Sequence, residues 1–372
     1  MSLHHEPWLA MLPVDPRQWI LDAEDDPAAC WITLTQLLDR PQTDSDVVAA
    51  HQQVLADPRT QNLLDSLTPW DTESEATGHD KPNYTPNVLS LLGDMGITPA
   101  DDQRLSDILS EMLEHQYAEG RFQSFGRWRS ADHPVWGAML CDAHAITDTL
   151  ARFGYAQDLR VIRSFERMVA DIEDTDQGRA WRCRKDPAVG FRGPGRVGDF
   201  CPQVTLEALR ATSYLSPEMR SAAIVKTGRV VLRAWRERAA EKPYMFGHGR
   251  NFKRAKWPVT WYGGFEVADT LGRFPELWDS PTAMQEDREA LAEIAACLVA
   301  YNVGPDGRVT PRSAFKGFEN HSFGQKKKPS PFATARTAVV LRRLEPLAAD
   351  IEAVDVMALA SSRGGTGSVQ PP

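Results

Sequence analysis

Two cysteines, Cys183 and Cys201, bracket the densest run of special residues in the chain, Phe191-Arg192-Gly193-Pro194-Gly195-Arg196. Glycines let backbone N–H groups come close to a ligand, and paired arginines can clamp a phosphate or carboxylate with two hydrogen bonds each. A helix expected to open near Asp199–Pro202 adds the positive potential of its N-terminal end. Arg192 and Arg196 are therefore candidate substrate-binding residues for an anion. The competing reading is a rigid connector whose arginines pair with neighbouring acids. No Walker sequence is present, so nucleotide hydrolysis is not expected.

A third cysteine, Cys141, falls on a helix expected over Pro134–Phe153, beside its core stripe of Trp136, Leu140, Ala143, Thr147 and Leu150. Cys141, His144 and Asp148 make the adjacent, more polar face. Folding the arginine loop back brings Cys183 and Cys201 to Cys141. Three thiolates with His248, His144 or Asp142 would make a tetrahedral zinc set, or a three-ligand site with an open position. The chain has no C-x-x-C, and the same residues also read as ordinary buried cysteines. Cys30 and Cys297 sit on apolar helical faces and read as core.

Further cations, Lys253, Arg254 and Lys256 and then Lys326-Lys327-Lys328, stand out in an otherwise acidic chain. Lys253 and Lys256 are further candidates for holding an anionic substrate; lysine runs are otherwise solvated surface. Trp257, Trp261, Tyr262 and Phe265, with Phe246 and Phe252 just before them, would suit a wall that stabilises a developing carbocation by cation–π attraction. The same cluster also reads as core. Proton transfer needs acids, and Asp142 and Asp199 are the candidates, with Tyr262 as a further catalytic group.

Helices must position these groups. Asp25-Asp26-Pro27 is a helix start, an acidic cap followed by proline at the first helical position. That stretch is superficially similar to the aspartate-rich acid motif of class II terpene cyclases, but the cap explains it. Helical patterning recurs to Leu347, and no convincing alternating strand is found. Three inter-helix segments echo one another: Gln116 to Phe122, Asp176-Gln177-Gly178-Arg179, and Asp306-Gly307-Arg308-Val309. With weaker members at Trp70 and Phe246 they suggest a repeat of roughly 60 residues, each a helix pair. One pair cannot bury its apolar face alone, so the pairs are expected to stack as one domain over 25–360, after an irregular 1–24 and before a disordered 361–372.

Gln116-x-x-x-Gly120-x-Phe122 resembles the repeat of squalene and hopene cyclases and of protein prenyltransferase β-subunits. A narrower resemblance is carried by Cys141-Asp142, Trp181-Arg182-Cys183, Gly190–Arg196 through Cys201-Pro202, and Gly324-Gln325-Lys326-Lys327. With Phe246-Gly247-x-Gly249, Lys256-x-Pro258 and Trp261-Tyr262, these look like a group of bacterial prenyltransferase/squalene-cyclase-like proteins. The resemblance implies an all-α fold, an α/α toroid with an inner ring of helices around a cavity. It also implies an enzyme taking an anionic, isoprenoid-like molecule through a cyclase, lyase or transferase step, with zinc as an expected cofactor. The chain departs from the group at Gly263-Gly264 and Glu266, where an acid and a histidine are expected. Rival readings are an (α/α)-barrel carbohydrate-active enzyme and a non-catalytic binding ring.

The bulk numbers agree with such a protein. A formal net charge of −9 over 372 residues argues against a general nucleic-acid binder. No apolar run approaches the ~18 residues of a membrane helix. The first residues lack the pattern of a secretory signal, and five scattered cysteines do not form a disulfide framework, which points to a cytoplasmic protein.

Overall fold

A computed structural model of the chain describes residues 6–72, 80–127, 132–186, 190, 192–193, 195–242 and 249–361. His248 and Phe246, Phe191 and Pro194 of the arginine loop, and the tail from 362 lie outside them. The chain divides into two compact units, a terminal one (Met1–Val54 with Leu232–Pro372) and a central one (Leu55–Val231). Both are mostly helical, as the patterning predicts. Among the described residues no helix is long and apolar enough to cross a membrane.

The terminal unit begins with a 3-10 turn, Pro7–Met11, that buries Trp8. It continues with α1 (Arg17–Leu21), α2 (Pro27–Ile32) running into a π turn, Thr33–Leu37, and α3 (Ser45–Ala56). The central unit carries α4 (Pro58–Asp65), α5 (Thr85–Asp94), α6 (Gln103–Glu114), β1 (Ser124–Gly126), β2 (Val135–Gly137), α7 (Leu140–Leu150) and α8 (Leu159–Ala170). β3 (Glu173–Thr175), β4 (Gly178–Ala180) and α9 (Pro202–Ser213) follow, and α10 (Ala222–Arg236) leads back to the terminal unit. There the chain forms α11 (Gly249–Lys253), β5 (Lys256–Trp257), α12 (Gly264–Leu271), α13 (Gln285–Asn302), β6 (Ser313–Ala314) and α14 (Pro331–Arg343). Two short helices, α15 (Ala348–Glu352) and α16 (Val356–Ser361), end it.

Local chemistry starts many of these helices. Asp26 caps α2 by accepting the Ala29 N–H, with Pro27 at the first helical position. At α4, α6 and α8 the cap is an Asp-x-Arg device. Asp57, Asp102 and Asp158 accept the N–H of Arg59, Arg104 and Arg160 at 2.8, 2.9 and 2.8 Å. The same carboxylates bind the Nε of those arginines at 2.9, 2.8 and 3.0 Å, so one acid satisfies an orphan amide and a guanidinium together.

Burial separates two kinds of helix. On α8 only Val161, Ser164, Phe165 and Met168 are buried, a stripe with spacing of three and four. On α7 every residue is buried, and on α9 all but Arg210 and Ser213. These two pack on each other, with α5 and α8 against α7. In the terminal unit α12 is likewise buried throughout and α14 from Pro331 to Leu341.

The echoing segments are tight turns that follow helices. Gly120, Gly178 and Gly307 all have positive φ, at 108°, 134° and 75°. Antiparallel pairing closes each turn: Gln116 with Phe122, β3 with β4, Val303 with Val309. A Cβ on Gly120 would lie 2.7 Å from the Arg163 carbonyl oxygen, and one on Gly307 2.0 Å from that of Val14. The apolar residue after each turn, Phe122, Trp181 and Val309, is buried.

Three expectations change. The helix predicted from Pro134 begins at Leu140, because Val135–Gly137 pairs with Ser124–Gly126, Phe125 opposite Trp136. Helical patterning in the sequence also spans Pro258 to Phe274, but the helix begins at Gly264, because Lys256–Trp257 pairs in parallel with Ser313–Ala314. Among the described residues strands are thus present, as three two-stranded ladders too short to show alternation.

Candidate functional site

The interior of the central unit is polar where α7 and α9 meet. Asp142, in the first turn of α7, is fully buried, and the Ser124 hydroxyl lies 3.5 Å from its Oδ2. Ser124 is held there by the β1–β2 ladder, opposite Gly137. On α9, one turn apart, Gln203 donates its amide to the buried Glu207 carboxylate at 2.8 Å. The Tyr84 phenol, at the start of α5, lies among them. Burial pushes it well above the ordinary tyrosine range; the charges of Asp142, Cys141 and Glu207 add to the rise, and the Ser124 hydroxyl opposes it.

Two residues further along α7, His144 places Nδ1 3.0 Å from the Val204 carbonyl and meets the Trp181 ring edge-on at 5.3 Å. Burial pushes the imidazole down to about 4, so it is neutral at pH 7 and donates its Nδ1–H to Val204. Asp148 accepts from Arg210 Nε at 2.6 Å across the same interface.

The thiols come together beside this cluster. Arg182 pairs with Phe200, and the Cys201 N–H bonds the Trp181 carbonyl at 2.7 Å. Residues two apart on paired strands share a face, so Cys183 and Cys201 point the same way. The Cys201 thiol is raised well above the ordinary thiol range by its hydrogen bond to Cys183, then by burial, and Cys141 is near enough to add to the rise. Cys183 Sγ accepts the Gly193 N–H at 3.1 Å. Among the described residues no group of three or more His, Cys, Asp or Glu is arranged to hold a metal ion, and His248 lies outside them.

Asp199 and Arg196 work inside the loop. Arg196 binds Asp199 through two nitrogens, both at 2.8 Å, and Gln177 donates to the same buried carboxylate at 3.0 Å. Gln177 also accepts the Phe200 N–H at 3.0 Å, which fixes the loop to the β3–β4 turn. Arg192 is different: it donates to the carbonyls of Cys183, at 3.1 Å, and of Gly195. Among the described residues its half-buried guanidinium meets carbonyl oxygens and no carboxylate.

The remaining candidates belong to the terminal unit. Lys253 is buried, its ammonium 5.0 Å from the Tyr301 ring centroid, and Lys256 is exposed, 3.5 Å over Phe315. Trp257 is buried against Phe265, Phe323 and Phe332 at 5.2, 6.4 and 6.2 Å. Trp261 is half-buried beside the buried Tyr262, ring centroids 5.1 Å apart. Lys326, Lys327 and Lys328 are exposed.

Sequence reasoning missed Tyr84, Ser124 and Glu207. Glu207 had a signal: it is the one acid in Val204–Leu209, a run otherwise rich in apolar residues. Tyr84 and Ser124 had none, because nothing local distinguishes them. Compared with family models, with curated proteins and with solved structures, the chain matches none.

Proposed function

We propose that the central unit is the reaction centre of an enzyme that moves a proton onto or off a partly apolar, anionic small molecule in a cyclase, lyase or transferase step. The observation that carries this is the burial of Asp142, Glu207 and Cys141 around the Tyr84 phenol. Burying ionisable groups is costly, and α7 and α9 could fill the same space with aliphatic side chains. In this reading Asp142 transfers the proton, Ser124 and Tyr84 orient its carboxyl group, and Arg192 receives the anionic end. Within each unit, helices buried on every side stand beside amphipathic ones or beside strands, which supports an α/α ring.

The test uses the purified full-length chain with an isoprenyl diphosphate, products being identified by mass spectrometry. Asp142→Asn is expected to lower turnover by about a hundredfold or more while the circular dichroism spectrum is kept. Full activity in that variant overturns the proton role. Inorganic pyrophosphate is expected to raise the melting temperature of the wild type and not that of Arg192→Ala; no rise in the wild type removes the anion reading. Two buried carboxylates near the Tyr84 phenol favour a second reading, glycoside hydrolysis with Asp142 and Glu207 as the two acids. Hydrolysis of an aryl glycoside, lost in both Asp142→Asn and Glu207→Gln with no response to pyrophosphate, would select it.

A further inference from the structure

The geometry points to Cys183 and Cys201 as a peroxide-oxidisable dithiol, Cys183 being the attacking sulfur and Cys201 the resolving one, whatever substrate the unit takes. Three features carry the assignment. The residues lie diagonally across one face of the Arg182–Phe200 bridge, held by the 2.7 Å bond from the Cys201 amide to Trp181. Both are partly exposed, as is Cys30, whereas Cys141 and Cys297 are buried, so a small oxidant can reach this pair. Cys183 Sγ receives the Gly193 amide at 3.1 Å, and a donated N–H stabilises negative charge on the accepting atom. A Cβ at position 193 would stand 3.2 Å from that sulfur, so the close approach favours glycine.

The chemistry balances with a hydroperoxide as oxidant. The Cys183 sulfur attacks the terminal peroxide oxygen; the S–O bond forms, the O–O bond breaks, and the departing alkoxide or hydroxide takes the Cys201 proton. The Cys201 thiolate then attacks the Cys183 sulfenic acid. The S–S bond forms, the S–O bond breaks, and hydroxide leaves and is protonated to water. Two thiols and one hydroperoxide give one disulfide, one alcohol (or water) and one water. The disulfide takes the Gly193 amide's acceptor away, and the Cys183 carbonyl that holds Arg192 moves with its residue. The redox state of the pair thereby reaches Arg192.

The full-length chain is treated at pH 7 with one equivalent of hydrogen peroxide, quenched with N-ethylmaleimide and mapped by peptide mass spectrometry over time. The expected result is a Cys183–Cys201 linked peptide that forms about tenfold faster than reduced Cys297 is lost. In Cys201→Ser, dimedone should trap a sulfenic acid on Cys183, and in Cys183→Ser, Cys201 should stay free. Oxidation of the pair no faster than Cys297 in the wild type overturns the proposal without reference to any variant's folding. A Cys183–Cys141 link in place of the expected one also overturns it.

Discussion

His144 makes the stability of the central unit depend on pH in a calculable way. Its imidazole is held at about 4 by burial, against 6.5 for an exposed histidine. Between those values the unfolded chain binds a proton that the folded chain does not. The stabilisation is therefore fully present above pH 6.5 and is lost as pH falls to 4. The complete loss is about 3 kcal/mol, and the part between pH 7 and pH 5 is about 2 kcal/mol. His144→Asn keeps an amide donor toward Val204 and cannot titrate in this range. Urea unfolding of the full chain at both pH values, wild type against variant, isolates the term because titrations elsewhere cancel. The wild type should lose about 2 kcal/mol more than the variant on going to pH 5. An equal loss in both, or an NMR titration of the His144 ring with a midpoint above 6, refutes the reasoning.

Gly120→Ala forces a Cβ to within 2.7 Å of the Arg163 carbonyl at φ 108°, whereas Gly154→Ala at φ 96° meets nothing within 4 Å. Chemical denaturation should show a loss of about 1 kcal/mol at Gly154 and clearly more at Gly120. Trp181→Phe removes a 3.0 Å bond from the indole N–H to the Met168 carbonyl, worth about 1 kcal/mol, and Trp181→Ala should cost about 3–5 kcal/mol in the same assay. Asp158→Ala strips α8 of its cap and Arg160 of one carboxylate partner, leaving it Glu114; a loss of about 1–2 kcal/mol is expected, and no loss would show the cap to be idle.

Much of the secondary structure was legible because its causes are local. Asp26-Pro27 starts a helix through a carboxylate three residues from the amide it caps, and Gly120, Gly178 and Gly307 mark turns because only glycine takes those φ values without strain. The Asp-x-Arg starts at Asp57, Asp102 and Asp158 were equally readable, and the first would have revealed α4. The ladder at Val135–Gly137 was not, because its cause is a partner strand at Ser124–Gly126.

The site divides in the same way. Residue types alone selected Asp142, the three cysteines and the arginine loop as groups capable of chemistry. Their partners, near and far in sequence, were decided by folding. Asp199 is locked by Gln177, 22 residues away, and Arg196 is spent on Asp199, while Arg192 meets carbonyls. Helices buried on every side, such as α7 and α9, have no exposed face, so periodicity could not say which polar residues point where. Composition and spacing thus determined where helices start, where the chain turns and which groups could react. Which of them share an interior was decided by tertiary packing alone, because desolvation and pairing depend on the neighbours that folding supplies.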